Sequence, residues 1–577
     1  MLAVNYSTVR SKLKDYCDKA TEDYETVIVT RKGEKNVVIM SLEQYNNLMK
    51  ARNALIILVF AIIIGVGIRK YPTEFNHYVT NILEITRLKN LFKSSTTAYD
   101  YDLIIVGSGL AGLTAAFESN KLFKGEKKIL VLEKMPKFGG NSAKATSGIN
   151  MLNTPLQEKE GVKDSYEIFY KDTMKSGKNL SQPKLVSTVV NDSHLLYDFF
   201  TKEIGSDISK LGILGGHSVA RTHRPTKETI GYHLVDTVYK KVKEIKSIQV
   251  IFNATVCELI TDEKKTSING IKYYLNEDTK NIIELKTKSV ILATGGFGHD
   301  FDSEDSLLKE FVPDKMKFPT TNGKQTQGIG VKIARKIGIG LTDMSQVQIH
   351  PTGFVNLDDR YAKNKILAPE LLRGVGGILI NQKGERFCNE LGTRDYVSQK
   401  IIQNCEMAKD NTITQYESFM LINQKAIDVY GGKVDFYIKK GYLRKFDSIK
   451  LFTEKMGISK YYDNVVKTIK EYNESADKKM DQFGKKVFPQ KFDLNDYIYV
   501  GVITPSIHYC MGGLTMTQNG ELIKTDGKIM NGLFGAGEVT GGVHGGNRLG
   551  GNSLMECGVY GRRAARAAVE YVKTFDN

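Results

Sequence analysis

The stretch that most constrains this chain is "YDLIIVGSGLAGLTAAF" at residues 101–117: a largely apolar strand, then Gly107–x–Gly109–x–x–Gly112, then an alanine-rich helix. Such a turn brings backbone N–H groups to a pyrophosphate. The helix N-terminus supplies unpaired donors and a positive dipole end, and glycine lets the turn close and the ligand approach. A lone glycine fingerprint is weak, but its context strengthens it. Lys128–Leu132 reads as a second strand and ends at Glu133, 21 residues beyond Gly112, where a carboxylate can hold a ribose hydroxyl pair. Strand, loop, helix, strand and acid in that order predict an α/β, doubly wound (Rossmann-like) domain with a bound dinucleotide.

Three further glycine-rich segments bear on which dinucleotide. "KMPKFGGNSAKATSGIN" follows Glu133 directly, and "ILATGGFG" (291–298) and "GLFGAGEVTGGVHGGNRLGGNSL" (532–554) each follow an apolar strand. Singly, each is an ordinary tight turn. Together, in this order, they suit a ligand lying extended through the domain, which favours FAD over NAD.

Over residues 101–572 the chain resembles the soluble fumarate reductases of yeasts and the flavoprotein portion of flavocytochrome c fumarate reductases. The landmarks are "GGHSVARTHRP" (215–225), "TTNGKQTQG" (320–328), "QVQIHPTGF" (346–354), "PELLRGVGGILIN" (369–381), "GERFCNELGTRD" (384–395), "TPSIHYCMGG" (504–513) and "GGVHGGNRLGGNSL" (541–554). The resemblance implies FAD contacts from Gly107, Ser108, Gly109, Ala111, Gly112, Glu133, Lys134, Gly140, Asn141, Ser142, Ser147, Gly148, Glu538, Ser553 and Leu554. Membrane-bound succinate dehydrogenases tether flavin through a histidine in the second glycine segment. Asn141 stands there in this chain, so the FAD is expected to be non-covalent.

Reducing an electron-poor double bond needs a hydride donor, cations on both carboxylates and a proton donor on the opposite face. The resemblance implies that His350, His508 and Arg548 bind fumarate or succinate. It implies Arg394 as the proton donor, reloaded through Glu370 and Arg373, which lie three apart on one helix face. Arginine is an unusual acid because guanidinium normally stays charged, so the three residues are expected to be adjacent. Two positions depart from the family: Pro369 replaces a small polar residue, and Ile329 replaces the acid of T-x-G-D-G.

The expected organisation is a FAD-binding domain in two segments, 99–344 and 508–577, interrupted by an α+β capping domain over 345–507 that closes on substrate. Ahead of these, "NYSTVRSKLKDYCDKA" and "ETVIVTRKGEKNVVIMSLEQYNNLM" resemble the N-terminal module of the Phd/YefM antitoxins, which implies a toxin or DNA partner for residues 1–50 alone. In front of a flavoenzyme body this module reads as a fusion or a gene-model artefact. Residues 54–68 are apolar without a charge, short of the roughly 20 that span a bilayer comfortably, and are expected to be a transmembrane or signal-anchor segment. Residues 71–98 read as a linker.

The net charge of +16 is scattered, so the catalytic body is not expected to bind nucleic acid. Six cysteines lack any C-x-x-C pair, which argues against structural zinc and a redox dithiol, and no C-x-x-C-H haem signature occurs. No metal site is expected. Without haem, electrons are expected from a separate donor such as reduced free flavin. The expected compartment is endoplasmic reticulum or mitochondrion in a eukaryote, with membrane association through 54–68. The alternatives carried are a sibling reductase of another unsaturated carboxylate and, remotely, an antitoxin.

Overall fold

The computed structural model describes residues 2–5, 27–30, 37–39, 99–410, 412–431 and 434–576. The apolar run 54–68, the linker up to residue 98 and most of the first fifty residues lie outside them. Two units are distinguished, residues 1–97 and 98–577. In the first, strands Leu2–Asn5 and Val27–Thr30 pair in parallel, and Val27–Thr30 pairs antiparallel with Val37–Ile39.

The second unit opens with β1 (Tyr101–Val106), α1 (Leu110–Leu122) and β2 (Ile129–Leu132). Next come α2 (Ile230–Lys243), β3 (Ile248–Ile251), β4 (Ala254–Thr261), β5 (Ile268–Leu275) and β6 (Ile283–Leu292). The middle of the chain gives β7 (Val347–Phe354), β8 (Ile366–Leu367), α3 (Glu370–Gly374), β9 (Ile378–Ile380) and α4 (Arg394–Asn404). There follow β10 (Ser418–Asn423), β11 (Arg444–Phe446) and β12 (Ile498–Cys510). The chain then forms β13 (Glu521–Ile523), β14 (Ile529–Gly535) and α5 (Asn552–Lys573).

The first sheet runs β4-β5-β6-β1-β2-β3, with β14 parallel to β6 and β13 beside β14. Its centre, β6, β1, β2 and β3, is parallel. Leu103 to Val106 and Ile129 to Leu132 are buried on both faces, the unbroken apolar run that helices on both sides of a parallel sheet demand. Pairing of β6 with both β1 and β14 brings Gly107, Ala293 and Ala536, each just past a strand end, to one edge of the sheet. Ligands of doubly wound folds sit at that edge.

The second sheet is antiparallel, in the order β8-β7-β12-β10-β9, with β11 also on β12. Alternation along β10 explains its burial: Met420 and Ile422 enter one apolar cluster, Phe419 and Leu421 the other. The thirteen-residue β12 joins the sheets, since Ile503 packs in the second sheet's core while Ile507 and Cys510 pack in the first. Its C-terminal end carries His508. Beside it, β7 carries His350, with His350 opposite Ser506 in the register. Among the described residues, no helix is long and apolar enough to cross a membrane.

Candidate active site

The glycine turn after β1 is dictated sterically. Gly107 has φ +108°, and a Cβ there would lie 2.3 Å from the Ala293 carbonyl oxygen; one on Gly112 would lie 1.9 Å from that of Gly107. Gly109 caps α1 without a side-chain hydrogen bond, and of the first-turn N–H groups Leu110 N donates to Ser142 Oγ at 3.3 Å. Glu133 folds back on this turn, its Oε2 accepting from Ser108 N at 2.9 Å and Ser108 Oγ at 2.7 Å. The side chain is thus set in place beside the loop before any ribose is considered.

Of the residues to which the resemblance gives a role, all except Ser108, Gly112, Glu370 and Arg373 line one cleft, which spans about 1590 Å³ including space open to solvent. Ser108 and Gly112 shape the loop from behind, and Glu370 and Arg373 stand behind Arg394. The cleft suits a dinucleotide with a small substrate: it is roomy, walled by a glycine cradle, and the buried Thr146 Oγ1 and Thr294 Oγ1 on its wall lack protein partners. Asn141 donates to Asn322 Oδ1 at 2.7 Å and to Thr326 Oγ1 at 3.1 Å, and it accepts from Gly323 N at 3.1 Å. Glu538 accepts from Cys510 N at 2.9 Å, and burial pushes its carboxyl up to about 7. At the departed T-x-G-D-G position Ile329 lines the cleft, while Lys134 Nζ is taken by Gln327 Oε1 at 2.6 Å.

The groups expected to bind carboxylate converge where the two sheets meet. The rings of His350 and His508 are 4.8 Å apart, and both residues, with Arg394 and Arg548, face the cleft. Thr352 N donates to His350 Nδ1 at 3.2 Å, so neutral His350 carries its proton on Nε2, which has no protein partner. His508 Nδ1 meets Thr321 Oγ1 at 2.8 Å. Burial, then the charges of Arg394 and Arg548, hold both imidazoles well below their ordinary range. Burial therefore favours neutral imidazoles at both positions, and the positive charge belongs to the arginines. Arg548 is 3% exposed, its Nε is unpartnered, its guanidinium lies 4.3 Å from the Tyr509 ring centre, and burial lowers its pKa to about 10.

Arg394 opens α4. Its Nε donates to Glu370 Oε2 and its Nη1 to Gln348 Oε1, both at 2.9 Å, and neither bond uses Nη2. Glu370 also accepts from Gly215 N at 2.9 Å. Burial alone would push the Glu370 carboxyl up; the charges of Arg394 and Arg373 with these hydrogen bonds outweigh it and hold it low. Arg373 is fully buried and feels Glu370 electrostatically, yet its Nη1 donates to the Glu390 carbonyl and no direct Glu370–Arg373 bond forms. Arg394 and Glu370 are thus a contact pair, with Arg373 one step behind.

Residue-by-residue reading missed Gln348, Thr321, Tyr509 and Asn547. Gln348 is the hub: besides holding Arg394, its Nε2 donates to Asn547 Oδ1 at 3.0 Å and to the Arg548 carbonyl at 3.1 Å. Strand alternation was a usable signal for it, since Gln348 stands two before His350 and both are buried. Asn547 and Thr321 offered no local signal.

This fold and cleft define an FAD-binding oxidoreductase with a site for a small carboxylate. Residues 102–554 match the family model described as FAD binding domain. The chain belongs to the fumarate reductase family of these flavoproteins. It is 37% identical over 481 residues to Fumarate reductase of Schizosaccharomyces pombe, covering 82% of this chain and 90% of that protein. It is likewise 37% identical over 475 residues to Fumarate reductase 1 of Saccharomyces cerevisiae, covering 81% and 98%. The solved open conformation of a flavocytochrome c3 fumarate reductase superposes with a TM-score of 0.65 at 29% identity, over 84% of this chain and 81% of that one. Residues 1–72 match the model for the Phd_YefM antitoxin of type II toxin–antitoxin systems.

Proposed function

We propose that the protein reduces fumarate to succinate. The observation that carries this reading is the convergence of His350, His508, Arg548 and Arg394 on the cleft that the glycine loop also lines. Bound FAD supplies the hydride. The Nε2–H of His350, the His508 imidazole and the Arg548 guanidinium hold the carboxylates, and their fixed dipoles and charge favour the negative charge that builds up as the double bond is attacked. Arg394 gives a proton from its guanidinium to the substrate carbon. Glu370, bonded to Arg394 Nε, passes it a proton that it takes up from solvent, and the charges of Arg373 and the restored Arg394 then leave Glu370 ionised again. Gln348 and Glu370 grip Arg394 on two sides, which fixes its orientation before substrate arrives.

The FAD is held without a covalent bond, since Asn141 offers an amide already committed to Asn322, Thr326 and Gly323 rather than a nucleophilic imidazole. Electrons come from a separate reduced donor, a free reduced flavin being the simplest. Anaerobic turnover of fumarate with reduced methyl viologen, and with reduced FMN, tests the proposal. Bound FAD without fumarate-dependent oxidation of either donor would refute it.

A further inference from the structure

The motif at residues 215–225 packs beside the cleft without lining it, and its Arg221 centres a buried ion cluster. Arg221 is fully buried. Its Nε and Nη2 form a two-pronged pair with Asp164 at 2.8 Å each, its Nη1 donates to Asp172 Oδ2 at 2.6 Å, and its guanidinium lies 4.4 Å from the Phe169 ring centre. Asp172 in turn accepts from Ser218 N at 2.8 Å and Ser218 Oγ at 2.6 Å, which ties the cluster to the turn before it.

The same Nη1 points at His217 Nδ1, 3.0 Å away. Guanidinium only donates, so this nitrogen must accept, and the proton of neutral His217 must sit on Nε2. That Nε2–H is 3.0 Å from the Gly550 carbonyl oxygen, two residues after Arg548. Asn150 Nδ2 donates to the same oxygen at 2.7 Å. Burial and the Arg221 charge hold the imidazole down to about 4, consistent with the single tautomer that the geometry requires.

Gly550 is also where the Arg548 loop touches the proton-donating side. A Cβ on Gly550 would lie 2.8 Å from Glu370 Oε2, and Glu370 is held by the N–H of Gly215, two residues before His217. One turn therefore grips the Arg548 loop through His217 and the Glu370 carboxylate through Gly215.

We infer that His217, locked in one tautomer by Arg221, is a positioning residue that sets Arg548 against the Arg394–Glu370 pair, so that carboxylate capture and proton delivery are aligned on one substrate. This rests on the proposed fumarate reduction. Removing it should act as loss of an outer-layer hydrogen bond to a functional group does, by about 10–100-fold. The loss should fall mainly on kcat.

The test compares wild type, His217→Ala and His217→Gln under anaerobic turnover of fumarate with reduced methyl viologen, together with FAD absorbance and melting temperature. His217→Gln keeps an N–H for the Gly550 carbonyl. The expected result is a 10–100-fold lower kcat in His217→Ala with FAD content retained, and recovery of most of it in His217→Gln. The kcat–pH profile adds a readout that general loosening of the fold would not move. If the turn relaxes, Glu370 loses the Gly215 N–H and its acid limb moves to higher pH. The groups facing Glu370 are Arg394, Arg373 on its own helix, Arg548 and His217, and all but the last are unchanged.

A kcat in His217→Ala within twofold of wild type would overturn the inference, as would a uniform loss with no shift of the acid limb and no rescue by glutamine. Should His217→Ala fold poorly, His217→Leu, which fills similar space but offers Gly550 no N–H, decides in its place: a lowered kcat with full FAD supports the role, and a kcat and pH profile superposable on wild type overturn it. A wild type that binds FAD and leaves fumarate untouched refutes the proposed function instead, so the two failures are distinguishable.

Discussion

Arg394→Ala separates the proton-donor role proposed for this residue from its structural one. General acids contribute about 10²–10⁴-fold, and fumarate-dependent oxidation of reduced methyl viologen should fall by that factor while the bound-FAD spectrum persists. The stability cost follows from Glu370. With Arg394 gone, this 2% exposed carboxylate keeps one strong hydrogen bond, from Gly215 N. The cheapest response is protonation, which from an ordinary value of 4.5 costs about 3.4 kcal/mol at pH 7 and about 0.7 kcal/mol at pH 5, at roughly 1.36 kcal/mol per unit.

The sign is unambiguous. In the wild type Glu370 is depressed, so its stabilisation is present above its unfolded value and is lost as pH falls through the folded one. In the variant it is raised, so the destabilisation shrinks on acidification. Urea unfolding at pH 7 and pH 5 should show the gap between variant and wild type narrowing by about 2.7 kcal/mol. The double variant Arg394→Ala with Glu370→Gln should lose that pH dependence without regaining activity. Turnover of Arg394→Ala within tenfold of wild type would sink the proton-donor role. A stability gap equal at both pH values would sink the electrostatic account.

Other expectations follow from the same geometry. Burial and then the charges of Arg394 and Arg548 depress His350 and His508, and a bound dianion should offset the charge effect and raise both imidazoles; succinate should bind more tightly as pH falls, with net proton uptake in calorimetry across buffers of different ionisation enthalpy. Glu538, held near 7, should make the FAD-free protein less stable as pH rises from about 4.5 to 7, and Glu538→Gln should flatten that slope in urea titrations. Acid precipitation should leave a colourless pellet and a yellow supernatant, whereas yellow protein would contradict non-covalent FAD at Asn141. Gly107→Ala, with a Cβ 2.3 Å from a carbonyl oxygen at φ +108°, should abolish FAD retention on a desalting column.

What the sequence determined by itself was local and covalent in reach. The turn at Gly107–Gly112 is forced by backbone sterics within a dozen residues, and the buried runs of β1 and β2 follow from apolar residues that no water-facing strand could carry. The cofactor class was legible for that reason. The reaction partners were legible only through resemblance, because His350, Arg394, His508 and Arg548 are scattered over two hundred residues with no local period linking them. Tertiary structure decided the rest. The register of β7 on β12 sets the two imidazoles side by side. Their shared burial with two guanidinium groups makes them neutral, which no residue-type argument could reveal, since a pKa depends on which charges lie near in space. Gln348, Asn547 and the His217–Arg221 network came into view only with the fold, because a hydrogen bond joining residues 221, 217 and 550 leaves no trace in their spacing along the chain.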